Sequence, residues 1–246
     1  MSKLSVVVPV FNEEQLLPEV IARLMTAPCP VEREWIFVDD CSTDNSLRIL
    51  EDGARLYGYR VISQPQNQGK GAAVIRGFAE STGDLIMIQD ADFEYDPADV
   101  PSLLQPILDN KADVVFGSRF KQGNMQVHRT FHYFVNRGLT MMSNLLSGSY
   151  LTDMETCYKV FRADILRPMK LESQRFGIEV ELVAKVSKLR LRVFEVPISY
   201  HPRTKLQGKK INWKDGVAAL FHLVRFNLVQ NRKDSYREDD VPKGYL

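Results

Sequence analysis

The chain has 246 residues, a hydrophobic content of 44% and a formal net charge of +1. That length accommodates one large domain, or one domain with an appendage, around a sizeable core. The balanced charge offers no global field for nucleic acid, and no apolar run reaches the roughly 18–20 residues that a membrane span requires.

Strands and helices are expected to alternate from the N-terminus. Residues 4–9 (LSVVVP) form a strand-like run with no targeting segment before it, and residues 13–25 follow as a helix. A second strand at 35–38 (WIFV) runs into Asp39-Asp40. Ser42 or Asp44 then caps a helix at 47–57. A third strand is expected at 60–63 and a third helix at 71–81, after the turn Asn67-Gln68-Gly69-Lys70-Gly71. A fourth strand at 85–89 ends on alternating carboxylates, Asp90, Asp92, Glu94 and Asp96. A helix at 101–108 and a strand at 113–117 complete this half. Continuous apolar strands alternating with helices imply a mostly parallel sheet covered on both faces. Such sheets bind ligands at the carboxyl ends of their strands, where these acidic turns lie.

Beyond Arg119 the alternation lapses. Helices are expected at 131–146, 178–189 and 217–229, and strands at 157–161 and 191–196. Arg203, Lys205, Lys209, Lys210 and Lys214 make one basic loop, and the charged stretch 230–246 reads as a disordered tail. Cys29, Cys41 and Cys157 have no CxxC spacing, and their odd count fits a reducing cytoplasm.

Asp90-x-Asp92-x-Glu94 carries the strongest chemical signal. Alternate carboxylates at a strand end can aim oxygens at one hard cation, Mg²⁺ or Mn²⁺, although a solvated acidic turn has the same composition. The glycine-rich turn at 67–71 has the look of a phosphate loop, yet it lacks the Ser or Thr of a Walker A loop and follows the third strand rather than the first. Its ordinary alternative is a tight turn into a helix. Lys70 opens that helix against the dipole, so an anionic partner is expected. The four histidines show no metal-ligand spacing.

Taken in order, "VVVPVFNEE", "VDDCSTD", "NQGKGAAVIRGFAESTGD", "DADFEYDP", "VVFGSRF", "LTDMETCYKVFR" and "EVPISYHPRTKLQGKKINWKDG" resemble the inverting family-2 glycosyltransferases, nearest to the dolichyl- and polyprenyl-phosphate mannosyl- and glucosyltransferases. The resemblance implies a GT-A fold over 1–229 without a transmembrane helix. It divides into a nucleotide-binding half (1–118), an acceptor half (119–216) and a helix at 217–229 that lies at a membrane interface, on the protein's own core or in a homo-oligomer. It implies metal-dependent transfer of a hexose from a UDP- or GDP-sugar to a polyprenyl phosphate. Pro9, Phe11, Glu13, Asp40, Lys70, Asp90, Arg203 and Lys209 would hold the donor. Asp90, Asp92 and Glu94 would hold Mg²⁺ or Mn²⁺, with Gln usual in relatives at the third place. Asp92 and Arg119 would be catalytic, and Arg119 and Arg129 would hold the acceptor phosphate, with His132 and Arg137 as alternatives to Arg129. The implied setting is the cytoplasmic face of a membrane. Two other readings stay open: transfer to a polysaccharide or surface glycan, with Asp153 or Glu155 as base, and non-catalytic nucleotide binding.

Overall fold

The computed structural model describes residues 2–121, 130–202 and 213–245. The nucleotide-binding half begins with β1 (Lys3–Val10), α1 (Leu17–Thr26), β2 (Glu32–Asp39), α2 (Ser46–Tyr57) and β3 (Arg60–Ser63). It continues with α3 (Lys70–Glu80), β4 (Leu85–Ile88), α4 (Val100–Leu108) and β5 (Val114–Ser118). The second half carries α5 (Thr130–Ser147), β6 (Lys159–Arg162), α6 (Ala163–Leu166), α7 (Ile178–Val186), β7 (Val193–Pro197), α8 (Trp213–Val224) and α9 (Arg232–Ser235).

The strands form one sheet in the order β3-β2-β1-β4-β6-β5-β7. Parallel pairing joins β1 to β2 and β4, β2 to β3, and β5 to β7. Only β6 runs antiparallel among the described strands, between β4 and β5. The apolar residues of β1, β2, β4 and β5 are buried on both faces, which is why these segments are continuous hydrophobic runs. Gly77 lets α3 press onto β1, since a Cβ there would lie 2.2 Å from Val7 Cγ1.

The chain leaves β1 first toward β2 and later returns to β1's other side as β4. Strand order therefore reverses at β1, and the crevice beyond the carboxyl ends of β1 and β4 is the natural ligand position in such a sheet. The expected helix at 13–25 begins only at Leu17. Pro18 sets the first turn, and residues 13–16 form a separate turn in which the Leu16 and Leu17 N–H groups donate to Glu13 O.

Residues 230–245 correct the expectation of a disordered tail. Asn231 and Asp234 form a capping box on α9. Tyr236 is buried, donates to Lys185 O at 2.9 Å and bridges to Met169. The Tyr245 hydroxyl donates to Asp113 Oδ1 at 2.9 Å. Apolar anchors spaced among the charges, Tyr236, Val241 and Tyr245, outweigh the mean composition that implied disorder. The helix expected at 217–229 begins earlier, as α8, and finishes as a π-helical segment, Arg225–Val229.

Candidate functional site

The ends of β1 and β2 are braced against each other. Asn12 and Cys41, each two residues beyond its strand, have φ of 50° and 58°. Non-glycine residues adopt this conformation rarely, and mostly where the surroundings impose it. Here the Asn12 N–H donates to Ser42 Oγ at 3.0 Å and the Thr43 N–H donates to Asn12 Oδ1 at 2.8 Å. The Glu13 N–H donates to Ser46 Oγ at 2.8 Å. The expectation of Ser42 or Asp44 as cap of α2 is corrected, since its N-cap is Asn45, without a side-chain capping bond; Ser42 braces the neighbouring turn, and Asp44 accepts from the Glu14 and Ser46 N–H groups at 3.1 and 2.9 Å. This double turn holds half-buried Pro9, Phe11 and Glu13 along one rim.

Asp40 organises the glycine-rich turn. It accepts from Gln64 Nε2, the Gln68 N–H and the Gly69 N–H at 2.7, 2.9 and 2.7 Å. The turn packs on residues 173–175: a Cβ on Gly71 would lie 2.1 Å from Ser173 O, and the Ala72 N–H donates to Gln174 O at 3.0 Å. Gly69 has φ of 95°, and a Cβ there would lie 2.7 Å from Gln174 O. The phosphate-loop expectation is thus corrected, because protein oxygens take these amides and protein backbone fills the space above the glycines. The anionic partners expected for Lys70 are Asp90 at 2.8 Å and Glu179 at 2.9 Å. They hold the Lys70 ammonium above its usual range although burial opposes it.

Asp90, Asp92 and Glu94 all lie beyond β4 at the crevice, but they do not close into a cage. Among the described residues no three His, Cys, Asp or Glu side chains assemble for a metal. Each carboxylate is drawn to its own partner: Asp90 to Lys70, Asp92 to the Glu94 N–H at 2.9 Å, and Glu94 to the Tyr200 hydroxyl at 3.0 Å. The donor set still fits a hard cation of the Mg²⁺ type, which takes one or two carboxylates and leaves its other positions to phosphates and water. Asp90 and Asp92 are the residues that would hold it.

Across the crevice, Arg119 follows β5 and meets Asp153 in a buried fork. Nε and Nη2 donate to the two carboxylate oxygens at 2.7 Å each, and the Arg119 N–H adds a bond of 3.0 Å. The guanidinium lies over the Tyr200 ring, 5.0 Å from its centroid. Arg137 on α5 donates to Thr152 O at 3.0 Å and lies 5.9 Å from the Phe120 ring, so it shares this region. Glu195 fixes the loop from below, accepting from the Thr152 N–H and hydroxyl at 2.8 Å each and from the Asp153 N–H at 3.1 Å. Arg129, Arg203 and Lys209 lie outside the described residues, as does the side chain of His132.

Burial, then the charge of Glu179, pushes the Glu155 carboxyl up to about 7 against the opposing pull of Lys159 and Arg119. Three participants escape sequence reasoning: Glu179, Glu195 and Tyr200. Glu179 had a signal, since a carboxylate inside the apolar run IEVELVAKV must be buried and paired; every residue of α7 is buried. Tyr200 and Glu195 had none, because their partners lie 106 and about 42 residues away in the chain.

With this geometry in view, comparison with known proteins gives consistent findings. Residues 5–169 match the sequence profile of glycosyl transferase family 2. A dolichol-phosphate mannosyltransferase of Pyrococcus furiosus is 29% identical over 216 residues, covering 85% of this chain; the chain spans 60% of that relative's length. An undecaprenyl-phosphate mannosyltransferase of Micrococcus luteus is 30% identical over 215 residues, covering 82% of this chain and 85% of the relative. Glucosyl-3-phosphoglycerate synthase of Mycobacterium tuberculosis, solved with Mn²⁺, UDP and glucosyl-3-phosphoglycerate, superposes with a TM-score of 0.68. That likeness covers 92% of this chain and 80% of the other at 21% identity, which makes it a likeness of fold.

Proposed function

The chain belongs to glycosyl transferase family 2, and on that premise we propose that it transfers a hexose, with inversion, from a UDP- or GDP-sugar to a polyprenyl phosphate. The observation that carries this reading is the pairing across one crevice of an acidic turn with a buried arginine, joined by Tyr200. The acidic turn suits a donor diphosphate held through a cation, and the arginine suits an anionic acceptor. The two mannosyltransferase relatives, named for dolichol and undecaprenyl phosphate, support mannose and a lipid phosphate.

When bound, Mg²⁺ or Mn²⁺ would supply Lewis-acid neutralisation of the leaving diphosphate. The protein's part is to hold and orient. The braced turns after β1 and β2 present Pro9, Phe11 and Glu13 to the nucleoside, while Asp40 keeps the neighbouring turn closed. Lys70 offsets the charge of Asp90 and Glu179 beside the donor. Arg119, kept rigid by Asp153, presents its remaining N–H groups to the acceptor phosphate, with Arg137 nearby. A phosphate monoester is already anionic near neutral pH, its second pKa being about 6, so no strong base is required. Asp153 is occupied by Arg119 and is not that base.

The acceptor's lipid has a matching surface. Phe134, Met141 and Leu145 on α5 and Phe221, Leu228 and Val229 near the C-terminus are exposed, and α5 packs against α8. Among the described residues no helix is long and apolar enough to cross a membrane. The helix pair is suited to lie at the cytoplasmic interface, and α5 also carries Arg137 beside the acceptor clamp. Phe226 is buried and cannot reach lipid, so the test variant is Phe221→Glu/Leu228→Glu. Wild type is expected to float with anionic liposomes and this variant to stay behind; equal flotation rejects the surface.

Glu155 favours a second reading, because a carboxyl near pH 7 is poised as general base for a hydroxyl acceptor. One experiment separates the two: purified protein, a panel of sugar nucleotides, Mn²⁺, and either short polyprenyl phosphate or polysaccharide, scored for nucleoside diphosphate release. Release with lipid phosphate alone supports the first reading, and release only with polysaccharide replaces it.

A further inference from the structure

Residues 170–174 have no regular secondary structure, yet they form the wall on which the glycine-rich turn rests. Gln174 O accepts from the Ala72 N–H at 3.0 Å, and Ser173 O and Gln174 O lie where Cβ atoms on Gly71 and Gly69 would fall. Asp40 holds the other side of the turn through the Gln68 and Gly69 N–H groups. Lys70 sits between those two glycines and reaches Asp90 and Glu179. The place of its ammonium therefore depends on where residues 170–174 sit.

Backbone groups in an irregular segment need partners from elsewhere, and Glu181 on α7 supplies them. Its Oε1 accepts from the Glu172 N–H at 3.0 Å, and its Oε2 accepts from the Ser173 N–H at 2.8 Å. Lys185, one turn further along α7, donates to Glu181 Oε1 at 2.5 Å and also to Lys170 O. Both side chains are fully buried. The C-terminal segment holds the same residues from another side: the Lys170 N–H donates to Ser235 O at 2.9 Å, and the Glu172 carboxylate meets Arg225 at 3.0 Å. Glu179 and Glu181 are about 200° apart around α7. One helix thus serves the glycine-rich turn twice, through Glu179 on Lys70 and through Glu181 under the segment.

Stability alone does not account for Glu181 and Lys185. Apolar residues of similar volume often replace a buried ion pair without loss. They have no acceptor for the amides of Glu172 and Ser173, and that is the contribution particular to the carboxylate.

We propose that Glu181 is a positioning residue for the donor side: it seats residues 170–174 under the glycine-rich turn and so sets Lys70 beside Asp90. The inference rests on the donor site proposed above.

The test compares two variants of the full chain. Glu181→Leu/Lys185→Met removes both charges and the acceptor oxygens, while Glu181→Gln/Lys185→Met removes the charges and keeps one acceptor oxygen. Hydrogen–deuterium exchange is followed at the Ala72 amide, and at the Gly58 amide at the end of α2 as a control. Calorimetry gives the affinity for UDP and for GDP, each with Mn²⁺, and KM is measured for short polyprenyl phosphate. In Glu181→Leu/Lys185→Met the Ala72 amide is expected to exchange at least about 10-fold faster, the scale of one hydrogen bond to a charged group, with Gly58 unchanged. Nucleotide affinity is expected to fall about 10-fold, as for other residues that orient a ligand-holding group, with acceptor KM unchanged. Glu181→Gln/Lys185→Met is expected to show both effects at about 3-fold, the scale of a neutral hydrogen bond. If the leucine variant does not fold, the glutamine variant against wild type decides the same point. Wild-type Ala72 exchange or nucleotide affinity in the variants that fold overturns the proposal. Faster exchange shared equally by Gly58, or an acceptor KM that rises as much as nucleotide affinity falls, marks general loosening and overturns it too. A wild type that binds neither UDP nor GDP overturns the proposed donor site instead, and exchange at Ala72 still decides whether Glu181 seats the turn.

Discussion

Removing the Asp153 carboxylate is expected to destabilise the protein sharply, and the structure sets the scale. Asp153 is fully buried and accepts three hydrogen bonds from Arg119, whose side chain is only 10% exposed. Asp153→Ala leaves a guanidinium in the interior without its carboxylate, beside the Tyr200 and Phe120 rings. Breaking a buried pair from one side costs about 3–5 kcal/mol, a large part of the roughly 5–15 kcal/mol that holds a domain folded. At about 2–4 °C per kcal/mol for a chain of this size, Tm is expected to fall by roughly 6–20 °C. Arg119→Met/Asp153→Ala is expected to recover most of that loss, since no uncompensated charge remains. Differential scanning calorimetry on the two single variants and the double gives the coupling. An Asp153→Ala protein melting within about 2 °C of wild type, or a double variant worse than either single, refutes the claim that this pair depends on mutual neutralisation.

The same reasoning extends to other parts of the crevice. Lys70→Met leaves the Asp90 and Glu179 carboxylates without their shared ammonium; Tm is expected to fall by several degrees and to be partly restored by adding Glu179→Gln, read by thermal denaturation. Asp92→Asn, like excess EDTA on wild type, is expected to cut kcat/KM at least about 100-fold without lowering Tm; full turnover in either case rejects a cation-assisted reaction. Glu155 has a folded-state pKa of about 7, raised from 4.5. The folded state therefore holds more protons between those values, and this carboxyl's contribution to stability is present below pH 4.5 and is lost as pH rises through about 7. Across that window Glu155→Gln is expected to remove one descending component from the plot of Tm against pH; parallel plots for variant and wild type reject the assignment.

Local pattern was enough to read the first half of the fold. Continuous apolar runs such as LSVVVP and WIFV are buried on both faces only in a covered parallel sheet, and the strand expected at 60–63 is β3 itself. The second half was harder to read for two reasons. β6 runs antiparallel between two strands of the opposite direction, a placement decided by non-local pairing. The tail at 230–245 is held by a few aromatic anchors that average composition conceals.

The sequence by itself determined which side chains gather at the crevice, because motifs placed just after apolar strands must emerge at one edge of a parallel sheet. Asp40, Lys70, Asp90 and Asp92 were legible for that reason, and Arg119 through the family resemblance. Only the tertiary structure decided what those side chains do to one another. Lys70 finds Glu179 across 109 residues, Arg119 finds Asp153 across 34, and Glu94 finds Tyr200 across 106. Of the three carboxylates in the acidic motif, two take partners from other parts of the chain, Asp90 from Lys70 and Glu94 from Tyr200. The physical reason is range: strand and helix patterning reflects neighbours a few residues apart, whereas a buried charge takes whichever counter-charge or donor the folded backbone brings within about 3 Å.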